Sequence, residues 1–358
     1  MDKDELYYFA VDLLKRLIAV PRFSREENAA ADIVEKTLRE TVGDKAVIKR
    51  VDNNVIATPT AFSPDRPILM LNSHLDTVRP VSGWTVDPFS PIFDPETDRL
   101  TGLGSNDAGA SLVSLMSTFL YFITNDIASS YNLLLVASAE EEVSGKNGME
   151  SIVPLLSGVD LAIIGEPTGM NPAVAEKGLI VIDATVEGVS GHAARNEGVN
   201  AIYRAMPVIS AIRSFRFPKE SEWLGPVVMN VTQINSGTQH NVVPDRCDLV
   251  IDVRTTDAYT NAETFELIGK ALPDYCTLKP RSLRLNPSYI SPDNPLVQRI
   301  IMLGGRPFGS PTLSDQALLP FPSVKLGPGA SSRSHTADEY ILLSEIREAI
   351  ELYISILR

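Results

Sequence analysis

Cysteine is almost missing from this chain of 358 residues: only Cys247 and Cys276 occur, and they form no CxxC pair. That excludes a disulfide framework and a thiolate metal site, and it points to a reducing, cytoplasmic setting. Positive charge is short as well, with 32 Lys and Arg against 45 Asp and Glu and a net charge of −13. No cluster of basic residues stands against that field, so nucleic acid is not an expected partner. Long apolar runs are also lacking, none reading as the ~20 residues that a membrane span requires. The opening stretch MDKDELYYFAVDLLKRLIAV mixes acidic and basic residues into its apolar positions, which a signal peptide would not tolerate. Histidine is the last scarcity: four in the whole chain, at positions 74, 192, 240 and 335, so their neighbourhoods carry much of the information.

What is present is a globular composition. Hydrophobic residues make up 44% and charged residues 22%, with a mean hydropathy of +0.03, and the length suggests two domains, with a single large α/β domain as the alternative. Residues 5–20 carry apolar positions at helical spacing. Ser24 with Glu27 reads as a capping box opening a second helix to about Thr41. Three short apolar runs follow, each ending in polar chemistry: Pro67 to Leu71 runs into Asn72-Ser73-His74, Tyr131 to Ala137 into Glu140-Glu141-Glu142, and Asp160 to Ile164 into Gly165-Glu166. Buried strands separated by helical segments such as 108–123 predict an α/β fold, a mostly parallel sheet with helices on both faces. Such sheets carry their chemistry at the carboxyl ends of the strands. After Pro172 the pattern changes to strands at about 179–186, 227–234 and 249–253 and helices at 199–214 and 261–272. This predicts an inserted α+β unit over 173–288, with 1–172 and 289–358 forming the parent domain and closing on a helix at 344–357.

Each polar strand end has a plain structural explanation when taken alone. His74-Leu75-Asp76 fits an exposed loop, Asp107 in the glycine-rich 102–109 fits a helix cap, and Glu140 to Glu142 fit a solvated acidic turn. Glu166 is harder to explain away, lying between a buried strand and a proline, where a charge needs a partner or a metal. His335 lies in a polar loop before the last helix. Together they form a set of nitrogen and oxygen donors without sulfur, which suits zinc, with cobalt or manganese as substitutes. An aspartate with two free oxygens can bridge two ions in a two-metal hydrolase.

In chain order the motifs SHLDTV, GLGSNDAGA, AEEE, GEPT, GVSGHAAR, NVVPD, DVR and SHTADEY resemble those of the metallopeptidase family that contains acetylornithine deacetylase, succinyl-diaminopimelate desuccinylase, aminoacylase and glutamate carboxypeptidase. The resemblance spans essentially the whole chain. It implies two divalent metal ions, one on His74 and Glu166, the other on Glu142 and His335, with Asp107 bridging. It also implies that Asp76 orients His74, that Glu141 is the general base, and that the Asp107–Ala108 peptide is cis. The family pattern at the triple glutamate begins with Asp, so Glu140 is a departure.

For the inserted unit the resemblance implies a ferredoxin-like lid and dimerisation domain, hence a homodimer. His192 would then stabilise the oxyanion, and Asn241, Arg254, Lys177 and Gly327 would contact substrate. Arg254 fits equally an ion pair within its own strand, and His240 has no implied role. The implied activity is hydrolysis of a small N-acyl amino acid, N-acetylornithine or N-succinylornithine, in arginine biosynthesis. Desuccinylase, aminoacylase and dipeptidase activities compete with it, and a non-catalytic metal- or peptide-binding protein is the reading from another class.

Overall fold

The computed structural model describes residues 1–195 and 197–358, and the chain divides into two compact units. The first comprises Met1–Val174, Ile290–Phe308 and Ser314–Arg358. The second comprises Ala175–Tyr289 together with Gly309–Leu313, a short segment that the sequence reading had left in the parent domain.

Four strands lie parallel at the centre of the first unit, in the order Asn132–Ser138, Ile68–His74, Leu161–Ile164, Ser323–Lys325. Antiparallel strands flank them: the hairpin Ala46–Val51 and Asn54–Pro59 on one side, and Ala173 pairing with Lys325 on the other. The sheet is parallel at its centre, as expected, and antiparallel at its flanks. A two-residue turn at Asp52 and Asn53, with Asp52 at φ 51°, leaves no room for the crossover that parallel neighbours need.

The three apolar runs are strands as their burial demands, and Ile68–His74 is buried from Leu69 to its last residue. Alternate residues serve opposite faces. Met70, Leu134, Val136, Ala162 and Ile164 join Met149, Ile152 and Leu156 in one apolar cluster. The other face is covered by helix Ala110–Thr124, which packs against helices Lys3–Ile18 and Leu343–Leu357 and against the two central strands. Every residue from Ala110 to Phe122 is buried. By length and composition alone the stretch Ser105–Thr124 is long and apolar enough to cross a membrane, but it opens on Ser105, Asn106 and Asp107 and is mostly buried. Here it is the central core helix.

The capping box expected at Ser24 and Glu27 does not form. Arg25 takes φ 74°, helix Asn28–Val42 starts without a side-chain cap, and both residues turn to other partners described below.

The second unit is an antiparallel sheet in the order Val228–Ser236, Arg246–Thr255, Gly178–Glu187, Cys276–Pro280, with helices Ala201–Ser214 and Asn261–Ala271. Strand, helix, two strands, helix, strand in that arrangement is the ferredoxin-like topology expected. Strand Gly178–Glu187 alternates buried and half-buried residues along nearly its whole length, presenting one face to a core built with Ala201, Ala205, Val208 and Ile268. Cys247 and Cys276 both pair with Val186 from opposite sides. Two strand spacings, roughly 9–10 Å, separate their backbones, beyond the reach of a disulfide, and both thiols are free.

Candidate metal centre

Parallel register brings the polar strand ends to one edge of the central sheet. His74 pairs with Ser138, and Asn72 pairs with both Val136 and Ile164, so Glu141, Glu142 and Glu166, on the segments that follow, emerge in one group with the His74 imidazole. Asp107 comes from the irregular turn Ser105–Gly109, whose Asp107–Ala108 peptide is cis. His335 sits at φ 58°, a left-handed conformation that few side chains adopt, and this turns its imidazole toward the same group.

The two oxygens of Asp107 face two different histidines. Oδ1 lies 3.2 Å from Nε2 of His74, and Oδ2 lies 3.7 Å from Nε2 of His335. Each histidine has a glutamate of its own: Glu166 Oε1 is 3.7 Å from His74 Nε2, and Glu142 Oε2 is 3.0 Å from His335 Nε2. Glu141 Oε2 stands 4.0 Å from His74 Nε2. The ligand atoms of His74, Asp107 and Glu142 lie within 4.8 Å of one another, and so do those of His74, Glu141 and Glu166. The donor set fits divalent cations: oxygen and imidazole nitrogen only, converging, and more negative than two imidazoles can offset.

Asp76 acts differently from the simple expectation. The Nδ1 of His74 lies 3.0 Å from the backbone carbonyl of Asp76 and 3.5 Å from its carboxylate. The carboxylate itself accepts the backbone N–H groups of Glu141 at 3.0 Å and Glu142 at 3.1 Å and the hydroxyl of Ser24 at 2.7 Å. Glu27, fully buried, accepts the N–H of Glu140 at 3.0 Å and that of Arg25 at 2.8 Å. Ser24 and Glu27 therefore hold the acidic turn, a role that sequence missed because their spacing matches a helix cap. Glu140 takes φ 54°, is 6% exposed and receives the side-chain amide of Asn147 at 2.9 Å. It braces the turn rather than joining the cluster.

Crowding of charge sets the protonation of the chain's own groups. Burial raises Glu141 well above the usual carboxylate range, and Glu166, Asp315 and Glu142 add to this against the pull of His74. Burial likewise lifts Glu166 to about 8, with Asp107 reinforcing it and His74 and Lys325 opposing. The hydrogen bond to Glu142 raises His335 to about 9, burial opposing. Burial works to lower His74, yet Asp107 and Asp76 outweigh it and hold the imidazole well above its ordinary value.

His192, Asn241, Arg254 and Lys177 belong to the second unit. His192 is exposed on a short ladder with Val242, next to Asn241, and its Nδ1 accepts the N–H of Ala194 at 3.1 Å. Arg254 is engaged with Asp252 of its own strand through Nε at 2.8 Å and Nη2 at 3.1 Å, the ion pair that its strand offered. Lys177 is half-buried and gives its backbone N–H to Ser310. Gly327 is in the first unit, and its place is one of close packing. A Cβ there would stand 2.3 Å from Ser111 Oγ and 2.5 Å from the Glu166 carbonyl. His240 is exposed, in a loop.

Comparison with known proteins bears on this geometry. Acetylornithine deacetylase of Yersinia pestis is 30% identical over 304 residues, covering 79% of this chain and 77% of that one. The chain belongs to the M20 metallopeptidase family. Succinyl-diaminopimelate desuccinylase of Buchnera aphidicola is 27% identical over 257 residues, covering 68% of the M20 chain described here and 67% of its own. Residues 174–276 match the family model described as a peptidase dimerisation domain. In fold, the chain is similar to the Bacillus subtilis YXEP protein, described as a dinuclear metal binding peptidase of the M20 family, with a TM-score of 0.73 at 15% identity over 99% of this chain and 98% of that one. This M20 member is thus a metal-dependent amidohydrolase.

Proposed function

We propose that this hydrolase cleaves the amide of an N-acyl amino acid, N-acetylornithine or N-succinylornithine, as a step in arginine biosynthesis. The observation that carries the two-ion part of this reading is Asp107, whose Oδ1 faces His74 and whose Oδ2 faces His335. His74 and Glu166 would hold one ion and Glu142 and His335 the other, with Asp107 shared; zinc suits these donors, and cobalt or manganese can replace it. A pair of such ions, when bound, lowers the pKa of water toward neutrality and polarises an amide carbonyl. Glu141, whose Oε2 lies 4.0 Å from His74 Nε2, takes the proton of the attacking water on Oε2. It later returns that proton to the nitrogen of the departing amine. Asp76 keeps Glu141 and Glu142 in place through their backbone N–H groups.

The second unit serves in this reading as lid and dimerisation domain, with His192 donating to the oxyanion and Asn241, Arg254, Lys177 and Gly327 meeting the substrate. Support for a homodimer comes from exposed apolar residues on helix Ala201–Ser214, Tyr203 at 70% and Met206 at 64%, and from strand Val228–Ser236 at the sheet edge. The free cysteines suit a reducing cytoplasm.

The acyl group is decided by assay. The acetylornithine deacetylase relatives favour acetyl, and the desuccinylase relative favours succinyl. Zinc- or cobalt-reconstituted protein is given N-acetylornithine, N-succinylornithine, succinyl-diaminopimelate and a set of dipeptides in parallel, and one of the two ornithine derivatives is expected to be hydrolysed fastest. Cleavage of dipeptides alone would overturn the substrate while leaving the hydrolase, and inertness toward all of them with two ions bound would favour a binding protein.

A further inference from the structure

Glu339 lies outside the ligand set and the proton path, and it is 2% exposed. Its Oε1 accepts the backbone N–H of Asp107 at 2.8 Å and of Asn106 at 2.9 Å, and its Oε2 accepts that of Gly104 at 3.0 Å. Its own carbonyl accepts the N–H of Gly102 at 3.0 Å. From the other side Arg22, 1% exposed, donates Nη2 to the Gly104 carbonyl at 2.8 Å and Nη1 to the Leu75 carbonyl. Gly104 takes φ 71°, and a Cβ there would meet both Arg22 Nη2 and Thr77 Cγ2 at 2.4 Å. The loop is thus held through both backbone groups of Gly104, its N–H by Glu339 and its carbonyl by Arg22.

A carboxylate buried this deeply costs several kcal/mol unless it is fully hydrogen-bonded, and three N–H donors aimed at it make charge-assisted bonds that fix the donors in turn. Glu339 follows His335 in the same loop, so a single segment supplies both the imidazole facing Oδ2 of Asp107 and the carboxylate holding the Asp107 backbone.

We propose that Glu339 is a positioning residue for the metal pair: it fixes the backbone of Asp107 so that the two oxygens face His74 and His335, and it acts through Asp107 without being a ligand. This rests on the two-ion reading of the site.

The test uses the whole protein loaded with cobalt. Metal content after dialysis, affinity by chelator competition and the visible cobalt absorption are measured for the wild type, Glu339→Gln, Glu339→Asp and Asp107→Ala, alongside the thermal midpoint of each metal-depleted protein. In Glu339→Gln one oxygen remains and an amide N–H₂ meets an N–H donor. Its cobalt affinity is expected to fall about 10–100-fold with an altered spectrum, while the midpoint of the metal-depleted protein moves little. Glu339→Asp keeps both acceptors on a shorter stem and is expected to recover part of the affinity; it also serves as the reading should the Gln variant not fold. Wild-type affinity and spectrum in Glu339→Gln would overturn the proposal, as would a lost affinity that tracks lost metal-free stability across both variants. Two tightly held ions in Asp107→Ala, or fewer than two in the wild type, would instead sink the two-ion reading itself.

Discussion

The carboxylate of Asp76 accepts the backbone N–H of Glu141 at 3.0 Å, tying the end of one strand loop to the end of the next. The same carboxylate accepts from Glu142 and Ser24, so it shapes the acidic turn as a unit. Asp76→Asn leaves one acceptor and points an amide N–H₂ at a donor. Metal affinity in a chelator competition is expected to drop about 10–100-fold, and an unchanged affinity would show the turn to be held by other means.

Glu141 is predicted to separate catalysis from binding. Glu141→Gln should lower kcat by about 10²–10⁴-fold with two ions still bound by elemental analysis. Turnover close to wild type would remove Glu141 as the proton carrier.

Metal affinity should rise with pH. Glu166 is raised to about 8 and His335 to about 9 in the protein's own charge set, so near neutrality both carry protons that a metal ion must displace. Binding then releases protons, and affinity should strengthen from about pH 7 upward and level off above about 9. Titration calorimetry in two buffers of different ionisation enthalpy reads the proton count directly. Proton uptake, or none exchanged, contradicts the assignment of these two ligands.

Gly327→Ala is expected to lower stability by about 1–3 kcal/mol, because the new methyl would overlap Ser111 Oγ and the Glu166 carbonyl. For a domain of this size that corresponds to roughly 2–4 °C in Tm per kcal/mol, measured by scanning calorimetry. An unchanged Tm would show that the site accommodates the methyl, and a lowered substrate affinity beside it would support the proposed contact of Gly327 with substrate.

Met206→Glu places a charge on the exposed apolar stripe of helix Ala201–Ser214. Light scattering is expected to show a dimer for the wild type and a shift toward monomer for the variant. A wild-type monomer at working concentration would remove the dimer and any action of His192 across it.

Much of the ligand cluster was legible in one dimension because the chemistry coincides with strong local signals. Ile68–His74, Asn132–Ser138 and Leu161–Ile164 announce themselves by unbroken apolar runs, and the polar residues that follow are bound to emerge where those strands end. Ser24 and Glu27 were misread because a capping box is a pattern of spacing alone. Arg25 at φ 74° breaks the helical path that the pattern presumes, and no local signal marks that. Glu339 was missed for a related reason: a carboxylate in a polar loop is unremarked until its burial against Gly104, Asn106 and Asp107 is seen.

By itself, then, the sequence determined the candidate donors, the α/β and ferredoxin-like units and the family likeness, since residue type, apolar periodicity and motif order are properties of the chain. Tertiary structure alone decided that the sheet is parallel only at its centre, that Asp107 turns one oxygen to each of two histidines, and that Arg254 is engaged with Asp252. Strand pairing, carboxylate orientation and competition between partners depend on groups far apart in sequence, where only the fold sets the distances.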